Sequence, residues 1–319
     1  MKDYTNIEIL EEIMSKIIVI GGAGFIGSHL VDALLDLKHQ LIVIDDFSTG
    51  KKENLRKSSS RILLIREPIL LTSGLLNKIP LTLKGADCIY HLAALPRIER
   101  SIDDPLGTHR ANVEGTLVAL ELARKLGVKR FIYTSSSSVY GIQKRLPLKE
   151  SFIPNPQNPY AYQKLMGEYY CQLYSQIYNL PVTIFRLFNV YGPRMISKGS
   201  YKLVFIKWLE QKKKNIPLSI YGSGEQTRDF TYISDAIDGL MRGRAVKEHF
   251  DIFNLGGGSQ ISIENLAKFF NHPTIYLPER LHEEKFKEAD ISKAKRILAW
   301  KPSISISEGV GKFMDYYGI

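Results

Sequence analysis

Short apolar runs alternate along this chain with longer stretches in which apolar residues recur at helical spacing. The runs fall at Ile17–Ile20, Leu41–Asp45, Arg61–Ile65, Cys88–Ala93, Phe131–Ser135 and Val182–Leu187. Helical stretches fill the gaps near Ile26–Leu37, Thr108–Leu126 and Tyr160–Tyr178. Strands apolar on both faces predict a parallel sheet covered by helices on each side, the doubly wound α/β pattern. After Arg186 the texture changes, with Pro193, a Lys-rich helix around Leu203–Lys214 and loops rich in Gly, Pro and Tyr. Ile252–Leu255 reads as one more strand, which would bring the chain back to the main sheet. The predicted organisation is an N-terminal extension over 1–15, with Ile7, Leu10 and Met14 at helical spacing, and a main α/β domain over 16–188, rejoined by about 231–258. A second, smaller C-terminal lobe takes most of 189–319.

Composition narrows the class. The 319 residues are 44% hydrophobic, ample for a packed core, and 43 Lys and Arg against 33 Asp and Glu give a net charge of +10. Apart from Lys212–Lys214 the basic residues are scattered, without aromatic interleaving, so no nucleic-acid partner is expected. The positive field favours an anionic substrate such as a nucleoside diphosphate. Cys88 and Cys171 sit in apolar and helical contexts, which predicts neither a disulfide framework nor a metal cage. None of the seven histidines has metal-ligand spacing, so no metal site is expected. No stretch reads as a secretory signal or as a membrane span, and a cytoplasmic setting without a membrane partner is the expectation.

Three motifs carry chemistry. Gly21, Gly24 and Gly27 stand between a strand and a helix, where glycine permits a tight turn and close approach of a pyrophosphate to the main chain. The amides of the helix N-terminus then face the phosphates. Eighteen residues on, the second strand ends in Asp45 and Asp46. A carboxylate there can accept the adenosine ribose hydroxyls and repels a 2′-phosphate, which favours NAD over NADP, with Asp45 the better candidate. Tyr160 and Lys164 lie four residues apart on one helix face, so the ammonium is expected to lower the phenol's pKa. The serine run TSSSSVYG follows the fifth strand at the carboxyl edge of the sheet, where a hydroxyl could orient a reacting oxygen.

Glycine loop, serine strand end and Tyr-Lys helix occur in the order seen in the extended short-chain dehydrogenase/reductases, and within them the chain most resembles the NAD-dependent nucleotide-sugar 4-epimerases. The resemblance runs from about Lys16 to the C-terminus, through GGAGFIG, DDFSTG, HLAA, NVEGT, SSSSVYG, NPYAYQK, RLFNVYGPR, GSGEQTRDFTYISD and ADISKAKRILAWKP. It implies a Rossmann domain in which Phe25 and Ile26 join the three glycines at the cofactor, with Asn112 nearby. It selects Ser136 as the catalytic serine beside Tyr160 and Lys164, ahead of Ser135 and Ser137. It makes Asn189, Arg228 and Arg280 contacts to the nucleotide diphosphate, puts Tyr221 beside the base, and marks Arg100 as a substrate contact.

The reaction so implied is inversion at C4 of a UDP-hexose through a transient 4-keto sugar, with NAD recycled in each turnover. Dehydratases and decarboxylases of the family carry an acidic residue just after the catalytic serine or threonine, where this chain has Ser137 and Ser138. A 4,6-dehydratase and a non-catalytic nucleotide sensor stay open as alternatives. UDP-glucose, UDP-N-acetylglucosamine and UDP-glucuronate all stay open as substrates, with Lys287 falling where relatives limit the C2 substituent. Glu67 and Pro68 replace the usual Gly-Asp pair near adenine, and Leu281, His282 and Glu283 replace a P-G-D element after Arg280. A homodimer through the helices at Thr108–Leu126 and Tyr160–Tyr178 is expected, with Tyr170, Leu173, Tyr174 and Ile177 as its apolar surface.

Overall fold

The computed structural model describes residues 14–55, 61–79, 83–195, 203–279 and 285–319. Seven strands form one parallel sheet: β1 Lys16–Ile20, β2 Gln40–Ile44, β3 Ile62–Ile65, β4 Cys88–His91, β5 Arg130–Ser136, β6 Val182–Leu187 and β7 Phe250–Leu255. Their spatial order is β7-β6-β5-β4-β1-β2-β3, with Ile17 in register with both Leu41 and Cys88. Alternate residues of one strand serve two cores: Ile17, Val19, Leu41 and Val43 pack on one side, and Ile18, Ile20, Ile42 and Ile44 on the other. This two-sided burial is why the strands read as unbroken apolar runs.

Strand order reverses between β1 and β4, and in open α/β sheets the carboxyl ends of the strands at such a point form a crevice. The segments that follow β1, β2, β4, β5 and β6 all meet there. Helix α1, Phe25–Asp36, starts directly beyond the glycine turn, and α2, Ile98–Asp103, follows β4. Two longer helices, α3 (Gly115–Leu126) and α4 (Pro159–Tyr178), cover one face. The helix expected from Thr108 is not continuous: Pro105–His109 is one short helix and Arg110–Glu114 a π-helical turn leading into α3. Single π-turns of this kind are rare and cluster at functional sites.

Beyond β6 the chain builds three small two-stranded sheets: Val190–Tyr191 with Thr231–Tyr232, Thr227–Asp229 with Gln260–Ser262, and Leu218–Tyr221 with Thr274–Leu277. Between them β7 pairs in parallel with β6, Asn254 opposite Arg186. The segment read as an N-terminal helix lies outside the described residues, except Met14, which is exposed.

A buried ion pair fixes α4 to the sheet. Arg186 of β6 donates to Glu168 of α4 through Nε at 3.0 Å and Nη2 at 2.7 Å, and both side chains are less than 5% exposed. Ser135 of β5 donates to the same carboxylate at 2.5 Å. The guanidinium also lies over the Tyr140 ring, whose hydroxyl donates to Asn254 of β7 at 2.7 Å. Removing one partner of such a pair strands a charge away from water. Glu168→Gln is therefore expected to lower unfolding free energy by about 3–5 kcal/mol in urea titrations at neutral pH; a loss below about 1 kcal/mol would show that Arg186 finds other compensation.

Candidate active site

Gly21 leaves β1 with φ +83°, and a Cβ there would lie 2.6 Å from the Ala93 amide nitrogen after β4. Gly27, in the first turn of α1, would place a Cβ 2.0 Å from the Gly21 carbonyl oxygen. Only glycine fits either place. The N-cap of α1 is Gly24, which has no side chain to satisfy the first helical amides. Gly24, Phe25, Ile26 and Gly27 line the same cleft, so those amides can receive a diphosphate. The Asp45 carboxylate, just after β2, accepts from Ala23 N and Phe47 N, both at 2.8 Å, which ties the glycine turn to the second strand. Burial pushes this carboxyl above the usual range, against the pull of those two amides. Asp46 is exposed beside it and accepts from Ser48 N at 2.8 Å. Tight backbone approach, open helix amides and a strand-end carboxylate together suit an NAD dinucleotide.

Across the cleft α4 begins with Asn158, whose side chain accepts from Ala161 N at 3.0 Å, and Pro159 at the first helical position. Tyr160 is thus held in the first turn, and its own backbone N–H donates to Ser101 Oγ of α2 at 3.0 Å. Burial pushes its phenol above the ordinary value, while a hydrogen bond with Ser136 and the charge of Arg97 pull it back. Lys164, one turn on, is buried; its Nζ donates to Thr134 O at 2.8 Å and sits 4.9 Å over the Tyr133 ring. Burial lowers its pKa to about 8. The expectation that Lys164 lowers the phenol's pKa is corrected here: the ammonium turns to the end of β5, and the cation acting on Tyr160 is Arg97.

The serines separate by their partners. Ser135 is taken by Glu168, whereas Ser136 lines the cleft with Tyr160, accepts from Ser138 N at 3.1 Å and donates to Ser138 Oγ at 3.1 Å. Asn189, with φ +30°, and Arg228 both line the cleft; Asn189 donates to Asp229 O at 2.8 Å and Arg228 to Thr227 O at 2.8 Å. Arg100 is exposed at the rim. Asn112 lies in the π-helical turn, buried behind the cleft, where it accepts from Leu95 N at 2.8 Å and donates to Gln163 Oε1 at 2.8 Å. It shapes the loop after β4. Tyr221 is not among the lining residues; its hydroxyl accepts from Lys207 Nζ at 2.9 Å. Arg280 falls outside the described residues.

The whole cleft has a volume of about 1490 Å³, more than the roughly 300–1,000 Å³ that one small ligand fills, so two ligands fit. Of its carboxylates, Asp45, Asp46 and Glu67 follow β2 and β3, where Glu67 is bridged to Lys78 at 2.6 Å, and Glu99 of α2 neighbours Arg97. Arg97, Arg228 and the buried Lys287 also line the cleft, from the loop after β4 and from the smaller lobe. Arg97 holds φ +151°, a conformation that favours glycine and costs an arginine about 1–3 kcal/mol. Sequence reasoning passed over Arg97: its one visible signal is a charge set directly after Pro96 beyond an apolar strand.

The chain matches the NAD dependent epimerase/dehydratase family over residues 17–256. It is 33% identical to the UDP-glucose 4-epimerase of Mycolicibacterium smegmatis over 95% of this chain and 98% of that one. It is 37% identical to UDP-glucuronic acid decarboxylase 1 of Arabidopsis thaliana over 94% of this chain and 69% of the relative. Among solved structures it is similar to the UDP-glucuronic acid 4-epimerase of Bacillus cereus in complex with UDP-glucuronic acid and NAD, at 36% identity and a TM-score of 0.84, covering 94% of this chain and 98% of that one.

Because the Gly21 carbonyl occupies the space a side chain would need at position 27, Gly27→Ala must push the glycine turn off α1. Calorimetric titration with NAD is expected to give affinity weaker by at least about tenfold, and wild-type affinity in that variant would show that the cofactor does not use this turn.

Proposed function

The chain belongs to the NAD-dependent epimerase/dehydratase family, and on that premise we propose that it inverts C4 of a UDP-hexose. The observation that carries this reading is that Ser136, Tyr160 and Lys164 line one cleft together with Gly21, Gly24 and Gly27 of the glycine turn. Asn189 and Arg228 hold the nucleotide diphosphate, for which a guanidinium fork is well shaped. Ser136 binds the oxygen on C4 and aims its proton at Tyr160.

Tyr160 takes that proton as the C4 hydrogen leaves with its electron pair, and C4 becomes a ketone. NAD, when bound, supplies the acceptor for that hydride and later its donor. After the sugar turns over about its diphosphate tether, Tyr160 returns the proton to the C4 oxygen as hydride arrives on the opposite face, so the cofactor ends as it began. Lys164, with a pKa near 8, shares its charge between Thr134 O and the nicotinamide ribose that this end of the cleft would hold. Ser137 and Ser138, where an eliminating relative would need a carboxyl, favour inversion over dehydration. The phenol must ionise in the closed complex, and exclusion of water alone opposes that. The positive charges of Arg97 and of bound NAD act in its favour.

The reading also includes a symmetric dimer. Tyr162, Met166, Tyr169, Leu173 and Ile177 form one exposed apolar stripe along α4, each at least 40% exposed. Tyr174, expected on that surface, instead packs inside the subunit and donates to Glu121 at 2.6 Å.

Incubated with UDP-hexoses and followed by NMR, the purified protein is expected to invert C4 without net NADH. Tyr160→Phe should lower kcat by about 10²–10⁴-fold while UDP-sugar binding persists. Net NADH accumulation, or full activity in that variant, would sink the assignment. In light scattering at micromolar concentration the wild type should have twice the chain mass and Met166→Glu the mass of one chain; a monomeric wild type would overturn the dimer.

A further inference from the structure

The charges lining the cleft outnumber what a nucleoside diphosphate requires. Arg228 and Asn189 suffice to engage two phosphates, yet Arg97 and the buried Lys287 add positive charge to the same cleft. Among the described residues the Arg97 guanidinium makes no hydrogen bond or ion pair, and its charged or titratable neighbours are Glu99, on the exposed first turn of α2, and Tyr160. A half-buried guanidinium left in that state is a site for an anion.

Position tells which anion. Arg97 is the N-cap of α2, its carbonyl accepts from Ser101 N at 3.1 Å, and the Ser101 hydroxyl in turn receives the Tyr160 amide at 3.0 Å. Two hydrogen bonds therefore join the backbone of Arg97 to the residue placed at the C4 oxygen. In a hexopyranose the diphosphate leaves from C1, across the ring, whereas the substituent on C5 is the immediate neighbour of C4. A cation whose backbone is tied to that of Tyr160, in the cleft that both line, is placed to meet that neighbour rather than the phosphates. The backbone of Arg97 adds weight: φ +151° suits glycine, and a large side chain is held there against its conformational preference. Such strain persists where the side chain is used.

We propose that Arg97 selects a UDP-uronate, its guanidinium receiving the C6 carboxylate of the sugar in a forked hydrogen-bonded pair. This rests on the reading that the cleft binds a UDP-hexose. A neutral hydroxymethyl on C5 would add no charge to that of Glu99, and an N-acetyl group on C2 is neutral and lies across the ring.

Calorimetric titrations with UDP-glucuronate, UDP-glucose, UDP-N-acetylglucosamine and UDP test this on the wild type, Arg97→Gly and Arg97→Lys. Glycine accepts the local φ, so that variant is expected to fold. The wild type should bind UDP-glucuronate about 10- to 100-fold more tightly than UDP-glucose or UDP-N-acetylglucosamine, the range of a charge-assisted hydrogen bond. Arg97→Gly should abolish that ratio and Arg97→Lys keep part of it, which a purely structural role would not do. A wild type without the preference, a preference that survives in Arg97→Gly, or a loss equally large for UDP itself would overturn the proposal. NMR on UDP-glucuronate separates the two readings: a binding preference set by Arg97 without C4 inversion would leave this assignment standing and remove the epimerase.

Discussion

The buried bidentate pair between Glu168 and Arg186 is the constraint on which the site depends. Helix α4 carries both Tyr160 and Lys164, and its distance from the sheet is set by a contact with little freedom in length or angle. Ser135 joins the same carboxylate, so the strand end that presents Ser136 is fixed by the atoms that fix the helix. Phenol and hydroxyl thus share one anchor.

Against that rigid wall the cleft is electrically divided. Asp45, Asp46 and Glu67 follow β2 and β3, whereas Arg97, Arg228 and Lys287 come from the loop after β4 and from the smaller lobe, with Glu99 near Arg97. A charged ligand would meet different fields at these two groups before any close contact forms. The loop after β4 spans the division, and its shape is set from behind by Asn112, which grips both polar groups of Leu95 from the π-helical turn.

Much of this was legible in the sequence. Two-sided burial gives β1, β2 and β6 unmistakable apolar runs, and Gly21, Gly24 and Gly27 announce a turn where a ligand can approach. The side-chain orientations were not legible. Spacing puts Tyr160 and Lys164 on one helix face, but cannot say that Thr134 O captures the ammonium. Nor does it say that Lys207 meets the hydroxyl and ring of Tyr221. The π-turn at Arg110–Glu114 is too short to leave a periodicity of its own in the sequence. Arg97 escaped notice because its φ is a property of the folded loop and of no neighbouring residue.

The chain enters the smaller lobe after β6, returns to the sheet as β7, and leaves again. Thr227–Asp229 and Leu218–Tyr221 precede β7, while the strands that complete them, Gln260–Ser262 and Thr274–Leu277, follow it. During synthesis the lobe therefore cannot close until nearly the whole polypeptide has emerged. A product truncated soon after β7 would carry a finished cofactor cradle beside unpaired strand edges, a species prone to aggregate. The weave makes completeness of the protein a condition for holding its substrate.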